Sequence, residues 1–277
     1  MKITIESLAA RKKRGPKIVM LTSYDFPTAL LEDELVDIQL VGDSVGTNIL
    51  GYPDVSHVSI ADMVHHTAAV ARGASRSFVL CDMPFRSFET PAQALETARR
   101  LIDAGADGVK MEGETVHRQI EAVAGAGIPV CAHIGFTPQT KSKATVQGKD
   151  LARAKELLQT AVSIEQAGAA LMVLELIPER LAGRITELLG IATIGIGAGR
   201  LCDGQVQVVL DILGLSERIF RHAKAYQSLK GAMGDGIAAY AAAVRDQSFP
   251  ADANVSRLDD EVYDQIVAFM KDRYGIV

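Results

Sequence analysis

The chain of 277 residues contains no tryptophan, and its aromatic content is only 5%. A core with so few large rings must be filled by Val, Ile, Leu and Ala, the packing of buried parallel sheets. Cysteine is almost as scarce. Cys81, Cys131 and Cys202 are odd in number and fall at no zinc-binding spacing, so a reducing compartment is the simplest setting. No apolar run approaches the ~18 residues of a membrane span, and no leader-like segment follows Met1. A cytoplasmic protein is therefore expected, with no membrane partner. No stretch rich in Pro, Gly or Ser marks a linker, so one domain is expected over residues 1–277. The only dense basic cluster, residues 11–14, is short, and the net charge is −5. That cluster reads as a solvated helix end, and no nucleic-acid partner is expected.

What the sequence does have is a rhythm of eight short apolar runs. They are KIVMLTSY (17–24), DIQLVGDS (37–44), SFVLCDMP (77–84), DGVKMEG (107–113), IPVCAHIG (128–135), AALMVLEL (169–176), IATIGIGAG (191–199) and VQVVLDIL (206–213). Each is nearly continuously apolar, as strands covered on both faces are. Between most of them lie segments of helical periodicity, such as SIADMVHHTAAVARG and TPAQALETARRLIDAG, several ending in the glycine that stops helices. The pattern predicts an α/β fold, a (β/α)8 TIM barrel. A doubly wound open sheet is the alternative. The link RLCDGQ between the seventh and eighth runs is too short for a normal helix. Two further helical patterns, 223–246 and 259–275, predict a C-terminal helical extension over about 216–277.

Polar residues gather at the C-terminal ends of these runs: Asp43 and Ser44, Asp82, Lys110 and Glu112, His133, and Glu175. In a barrel those ends surround one mouth, and charges there are costly to desolvate unless paired or bound to a metal. Gly42-Asp43-Ser44-Val45-Gly46 also fits the G-x-S-x-G elbow of serine hydrolases. An elbow needs a helix after the serine, whereas Gly51 and Pro53 predict a loop, and the histidine partner is missing. Asp43, Asp82 and Glu112 instead offer oxygen ligands suited to Mg²⁺, with helix capping as the plainer role for any one of them.

Lys110 and Glu112 alternate along one strand and so face the same side. Lys110 can bind a substrate carboxylate or pair with Glu112. Glu175 is a lone acid in an apolar strand. Burial should raise its pKa and suit it to general-base work, and a buried, paired Glu is the alternative. His133 can donate to a substrate or satisfy a core neighbour. His65 and His66 read as structural. Gly195–Gly199 lacks the spacing of a dinucleotide loop, and its glycines instead allow close approach.

With these residues assembled, the chain resembles the ketopantoate hydroxymethyltransferase family, from TSYDFPTA (22–29) to CDGQ (202–205). VGDSVG, HHTAAVARGA, LCDMPF, GVKMEG, PVCAHIGFTPQ, VLELIP and IGIGAG stand in the family's order. The resemblance implies a Mg²⁺-dependent barrel that transfers a hydroxymethyl group from 5,10-methylenetetrahydrofolate to the 2-oxo acid 2-oxoisovalerate, within a homo-oligomer. It implies that Asp43 and Asp82 ligate Mg²⁺ and that Glu112 completes the metal site. The substrate would contact Asp43, Ser44, Asp82 and Lys110, and Glu175 would accept the proton. The chain departs from the family at VSHVS (55–59), in the short loop TKSKATVQGK (140–149) and at FRHAK (220–224), all expected at the rim. A related Mg²⁺-dependent lyase or mutase, similar to phosphoenolpyruvate mutase and isocitrate lyase, and a non-catalytic barrel that binds a 2-oxo acid are the competing expectations.

Overall fold

The first seven apolar runs each become a strand: β1 (Ile18–Thr22), β2 (Ile38–Val41), β3 (Phe78–Asp82), β4 (Gly108–Glu112), β5 (Val130–Gly135), β6 (Leu171–Glu175) and β7 (Ala192–Ile196). In this computed structural model residues 1–12, 15–141, 143–217 and 220–275 are described. Lys13 and Arg14 of the basic cluster lie outside them. All strand pairs are parallel, and β8 (Gly204–Gln207) hydrogen-bonds to both β7 and β1, closing the barrel. The open sheet is excluded.

The eighth strand corrects the sequence reading. It begins earlier than the apolar run VQVVLDIL, half of which folds as the short helix Val209–Ile212. Gly204 explains the placement. A Cβ there would sit 2.5 Å from the carbonyl of Ile18 on β1, so only glycine lets the two backbones close the ring. As expected from RLCDGQ, no helix separates β7 from β8.

In chain order the helices are α1 (Ile5–Ala9), α2 (Phe26–Glu32), α3 (Val45–Asn48), α4 (Ile60–Gly73), α5 (Pro91–Asp103), α6 (His117–Gly125), α7 (Leu151–Gln166), α8 (Glu179–Leu188), α9 (Val209–Ile212), α10 (Leu229–Arg245) and α11 (Asp260–Tyr274). Their starts are written locally. Asp25, Ser59, Thr90 and Asp150 each accept a hydrogen bond from a first-turn backbone N–H, and Pro91 follows its cap where a missing donor costs nothing.

Two cores result. Inside the barrel, Ile18, Met20, Ile38, Leu40, Phe78, Leu80, Leu171, Val173 and Ile194 stack over a floor of Ile3 and Leu8. Outside, the other strand faces pack on the helices through residues such as Val41, Val79, Val109 and Leu174. Each fully buried large aliphatic side chain contributes about 1.5–3 kcal/mol. The interior residues occupy alternate positions, so the next inward positions above Leu80 and Val173 are Asp82 and Glu175. This puts a polar layer on an apolar plug at the C-terminal mouth.

The chain divides into two compact units, Met1–Gln227 and Ser228–Val277. The second unit comprises α10 and α11, and neither helix has a buried residue. Helix α10 starts at Leu229, inside the predicted segment 223–246.

Candidate active site

Five strands bring their polar ends to one cavity of about 140 Å³, lined by Asp43, Ser44, Asp82, Lys110, Glu112, His133 and Glu175. Every candidate read from the sequence is therefore on this wall. The volume lies below the ~300 Å³ at which drug-sized pockets begin and suits a small organic acid.

Asp43 lies just beyond β2 and is tied to β3, its backbone N–H donating to Asp82 Oδ2 at 3.0 Å. The other oxygen of Asp82 accepts from Lys110 Nζ at 2.5 Å. Register explains this contact, since Asp82 and Lys110 are partners across β3 and β4. Lys110 is thus paired with Asp82 rather than with Glu112. Burial would lower its pKa, but the charges of Asp82, Asp43 and Glu112 outweigh burial and raise it, keeping the ammonium charged. Burial together with the nearby Asp82 carboxylate pushes Asp43 up.

Glu112 is held from two sides. Its Oε1 accepts from the backbone N–H of Gln139 at 2.7 Å, and its Oε2 lies 3.2 Å from His133 Nδ1. The other ring nitrogen of His133 lies 3.1 Å from Glu175 Oε2. Both distances are within ion-pair reach, yet neither nitrogen has a partner in hydrogen-bond geometry. Burial opposes the imidazolium, but Glu112 and Glu175 prevail and raise His133 to about 9. His133 bridges two acids, and Glu175 is not the lone carboxylate that its apolar strand implied. The Glu175 side chain also keeps 14% of its surface open to the cavity.

Ser44 is followed directly by α3, where a loop was expected. The helix does not restore the hydrolase reading, because Ser44 Oγ pairs with the Tyr24 hydroxyl at 2.8 Å and Asn48 Nδ2 donates to that hydroxyl. His66 is structural, its Nδ1 donating to the Tyr24 carbonyl at 2.7 Å.

The residue that sequence reading missed is Gln139. Its amide donates to Asp43 Oδ2 at 2.8 Å and to the Met83 carbonyl at 2.9 Å, while its backbone holds Glu112. Its only sequence signal is its place in HIGFTPQ, a loop directly after a site strand.

No three His, Cys, Asp or Glu side chains among the described residues converge as a closed metal cage would. Asp43 and Asp82 are instead two adjacent buried carboxylates, a pair that could hold a Mg²⁺ ion keeping most of its waters.

Fold and site define a (β/α)8-barrel enzyme whose acids, lysine and histidine meet over a small cavity at the strand ends. Residues 2–252 match the family described as ketopantoate hydroxymethyltransferase. The chain belongs to that family, as a one-carbon transferase. It is 46% identical to the 3-methyl-2-oxobutanoate hydroxymethyltransferase of Roseiflexus sp. (strain RS-1), over 94% of this chain and 96% of the relative. It is 43% identical to that of Clostridium novyi (strain NT), over 96% and 100%. Among solved structures, phosphonopyruvate hydrolase aligns with a TM-score of 0.60 at 15% identity over 100% of both chains. A 2,3-dimethylmalate lyase of the PEP mutase/isocitrate lyase superfamily gives 0.59 at 15% over 97% and 100%. At that identity the structural likeness concerns the barrel alone.

Proposed function

We propose that the chain transfers a hydroxymethyl group from 5,10-methylenetetrahydrofolate to 2-oxoisovalerate (3-methyl-2-oxobutanoate), giving ketopantoate for pantothenate biosynthesis. The observation that carries this reading is the sharing of one 140 Å³ cavity by an acid pair with its lysine and by Glu175, in a chain of this family.

Asp43 and Asp82 would hold Mg²⁺, with Glu112 completing the site through its waters. Bound Mg²⁺ supplies electron withdrawal from the 2-oxo group. Lys110 offsets the substrate's carboxylate charge, and Ser44 donates to one of its oxygens. Glu175 takes the proton from C3, and His133 fixes the orientation of Glu175 and faces the same cavity. The C3 carbanion equivalent then bonds to the donor's methylene carbon, water supplies the hydroxyl oxygen, and tetrahydrofolate leaves.

The test is proton NMR of 2-oxoisovalerate in D₂O, with Mg²⁺ and without folate. Loss of the C3 methine signal that needs both Mg²⁺ and Glu175 is expected, followed by ketopantoate once the donor is added. A methine signal that persists with the wild-type enzyme sinks the reading.

We propose further that the enzyme is a homo-oligomer in the reducing cytoplasm. Met233, Ile237, Tyr240 and Val244 form an exposed stripe at helical spacing on α10, and all three cysteines are free thiols. Sedimentation at a single-subunit mass would refute the assembly.

A further inference from the structure

The one-carbon unit of the donor is bonded to the pterin ring system itself, and reacting atoms must approach to about 3–3.5 Å. The 140 Å³ cavity has room for the small acid only. The ring must therefore sit in a recess that shares a wall with that cavity.

Two recesses adjoin it. One, of about 340 Å³ beside Phe85 and Gln119, meets the cavity only at Glu112. There the way is barred by Gln139, which is bonded to Glu112, Asp43 and the Met83 carbonyl at once. The other, of about 480 Å³ between α3 and α9, shares Ser44 and Val208 with the cavity. A ring placed there meets the substrate cavity at those two residues.

We infer that this second recess seats the donor's bicyclic head and that Asp211 recognises its aminopyrimidinone edge. The inference rests on the tetrahydrofolate donor proposed above. Asp211 is 7% exposed and lines the recess. Its Oδ1 accepts from Ser216 Oγ at 2.5 Å, and no described residue is bonded to Oδ2. The ring's N3–H and 2-amino group point the same way, two parallel donors that match the two oxygens of one carboxylate. That edge would place a charge-assisted donor on Oδ2, the oxygen of Asp211 that Ser216 leaves open. Val208, Leu210 and Leu215 provide apolar surface for the ring faces, and Asn48 and Thr47 provide polar atoms on the α3 side. Asp211 stands apart from the acids and lysine that handle the 2-oxo acid, and the recess meets that group at Ser44.

The experiment compares the Mg²⁺-loaded wild type with Asp211→Asn, Ser216→Ala, Leu215→Trp and Gln119→Ala. It records initial rates against 5,10-methylenetetrahydrofolate, equilibrium dialysis of tetrahydrofolate, and folate-free C3 proton exchange. Asp211→Asn is expected to raise the donor KM at least 10-fold and leave exchange and the 2-oxo acid KM within twofold. Ser216→Ala, which removes the internal partner but keeps the carboxylate, should hold the donor KM within threefold. Leu215→Trp fills the recess from its side and should weaken tetrahydrofolate binding without slowing exchange, which covers the case of a misfolded Asp211 variant. An unchanged donor KM in Asp211→Asn overturns the inference, as does a rise confined to Gln119→Ala, which would seat the ring beside Phe85. A wild type that exchanges the C3 proton but neither binds tetrahydrofolate nor accepts its one-carbon unit overturns the donor assignment itself, and this seat with it.

Discussion

His133 Nε2 stands 3.1 Å from Oε2 of Glu175, and the opposite ring nitrogen stands 3.2 Å from Glu112. One imidazole therefore spans the acid expected to take a proton and an acid of the proposed metal site. Replacing it by glutamine keeps bulk and removes the charge. His133→Gln should slow C3 exchange by about 10- to 100-fold while the KM for 2-oxoisovalerate moves less than about threefold. Glu175→Gln should lose ~10² or more, the scale of a missing general base. Exchange at the wild-type rate in His133→Gln would show that the bridge is only packing.

Gln139 donates to Asp43 and, through its backbone, to Glu112. Groups that orient a metal's ligands typically govern its affinity by ~10–100-fold. Gln139→Ala keeps the backbone donor but loses the amide, so the Mg²⁺ concentration for half-maximal activity should rise about 10-fold. A Mg²⁺ titration of transfer rate checks this. An unshifted curve means that Asp43 is positioned without help.

Ser44 separates the two readings of Gly42–Gly46. As a hydrogen-bond donor to a charged substrate it is worth about 1.5–3 kcal/mol, so Ser44→Ala should cost roughly 10- to 100-fold in kcat/KM and leave C3 exchange measurable. Complete loss of exchange in a folded Ser44→Ala protein would give Ser44 a part in proton removal itself.

Glu32 lies away from this chemistry, on α2. It is 5% exposed, neither carboxylate oxygen has a hydrogen-bond partner, and burial raises it to about 8. An acid whose folded pKa is raised contributes its stability below the unfolded value near 4.5 and loses it as pH rises through about 8. Glu32→Gln should therefore match the wild type near pH 4.5 and exceed it by on the order of a few kcal/mol above pH 8. Urea midpoints across that range measure the difference, and parallel curves for the two proteins would refute it.

The barrel and most of its mouth could be read from sequence because parallel strands buried on both faces are continuous apolar runs, and the polar ends break those runs visibly. β8 could not. GQVQ is less apolar than the VVLDIL that follows, and hydropathy alone does not tell a short buried strand from a short helix. Gln139 carries no charge and sits in a loop, so nothing in the local pattern marks it. The pairing of Lys110 with Asp82, and of His133 with Glu112, depends on strand register, a long-range property that composition and periodicity do not carry. The same holds for Glu175, whose neighbour across the sheet is invisible along its own strand.

The inward columns of the barrel place an acid two residues above Leu80 and another two above Val173. Because core and chemistry share these columns, a one-residue slip in either strand would turn its plug residues and its reacting group out of the ring toward the helices. The strands therefore have almost no independent freedom to change. New substrate preferences in this lineage would have to arise in the segments beyond the strand ends, such as Val55–His57 and α9, where an altered side chain or an added residue leaves every column in step.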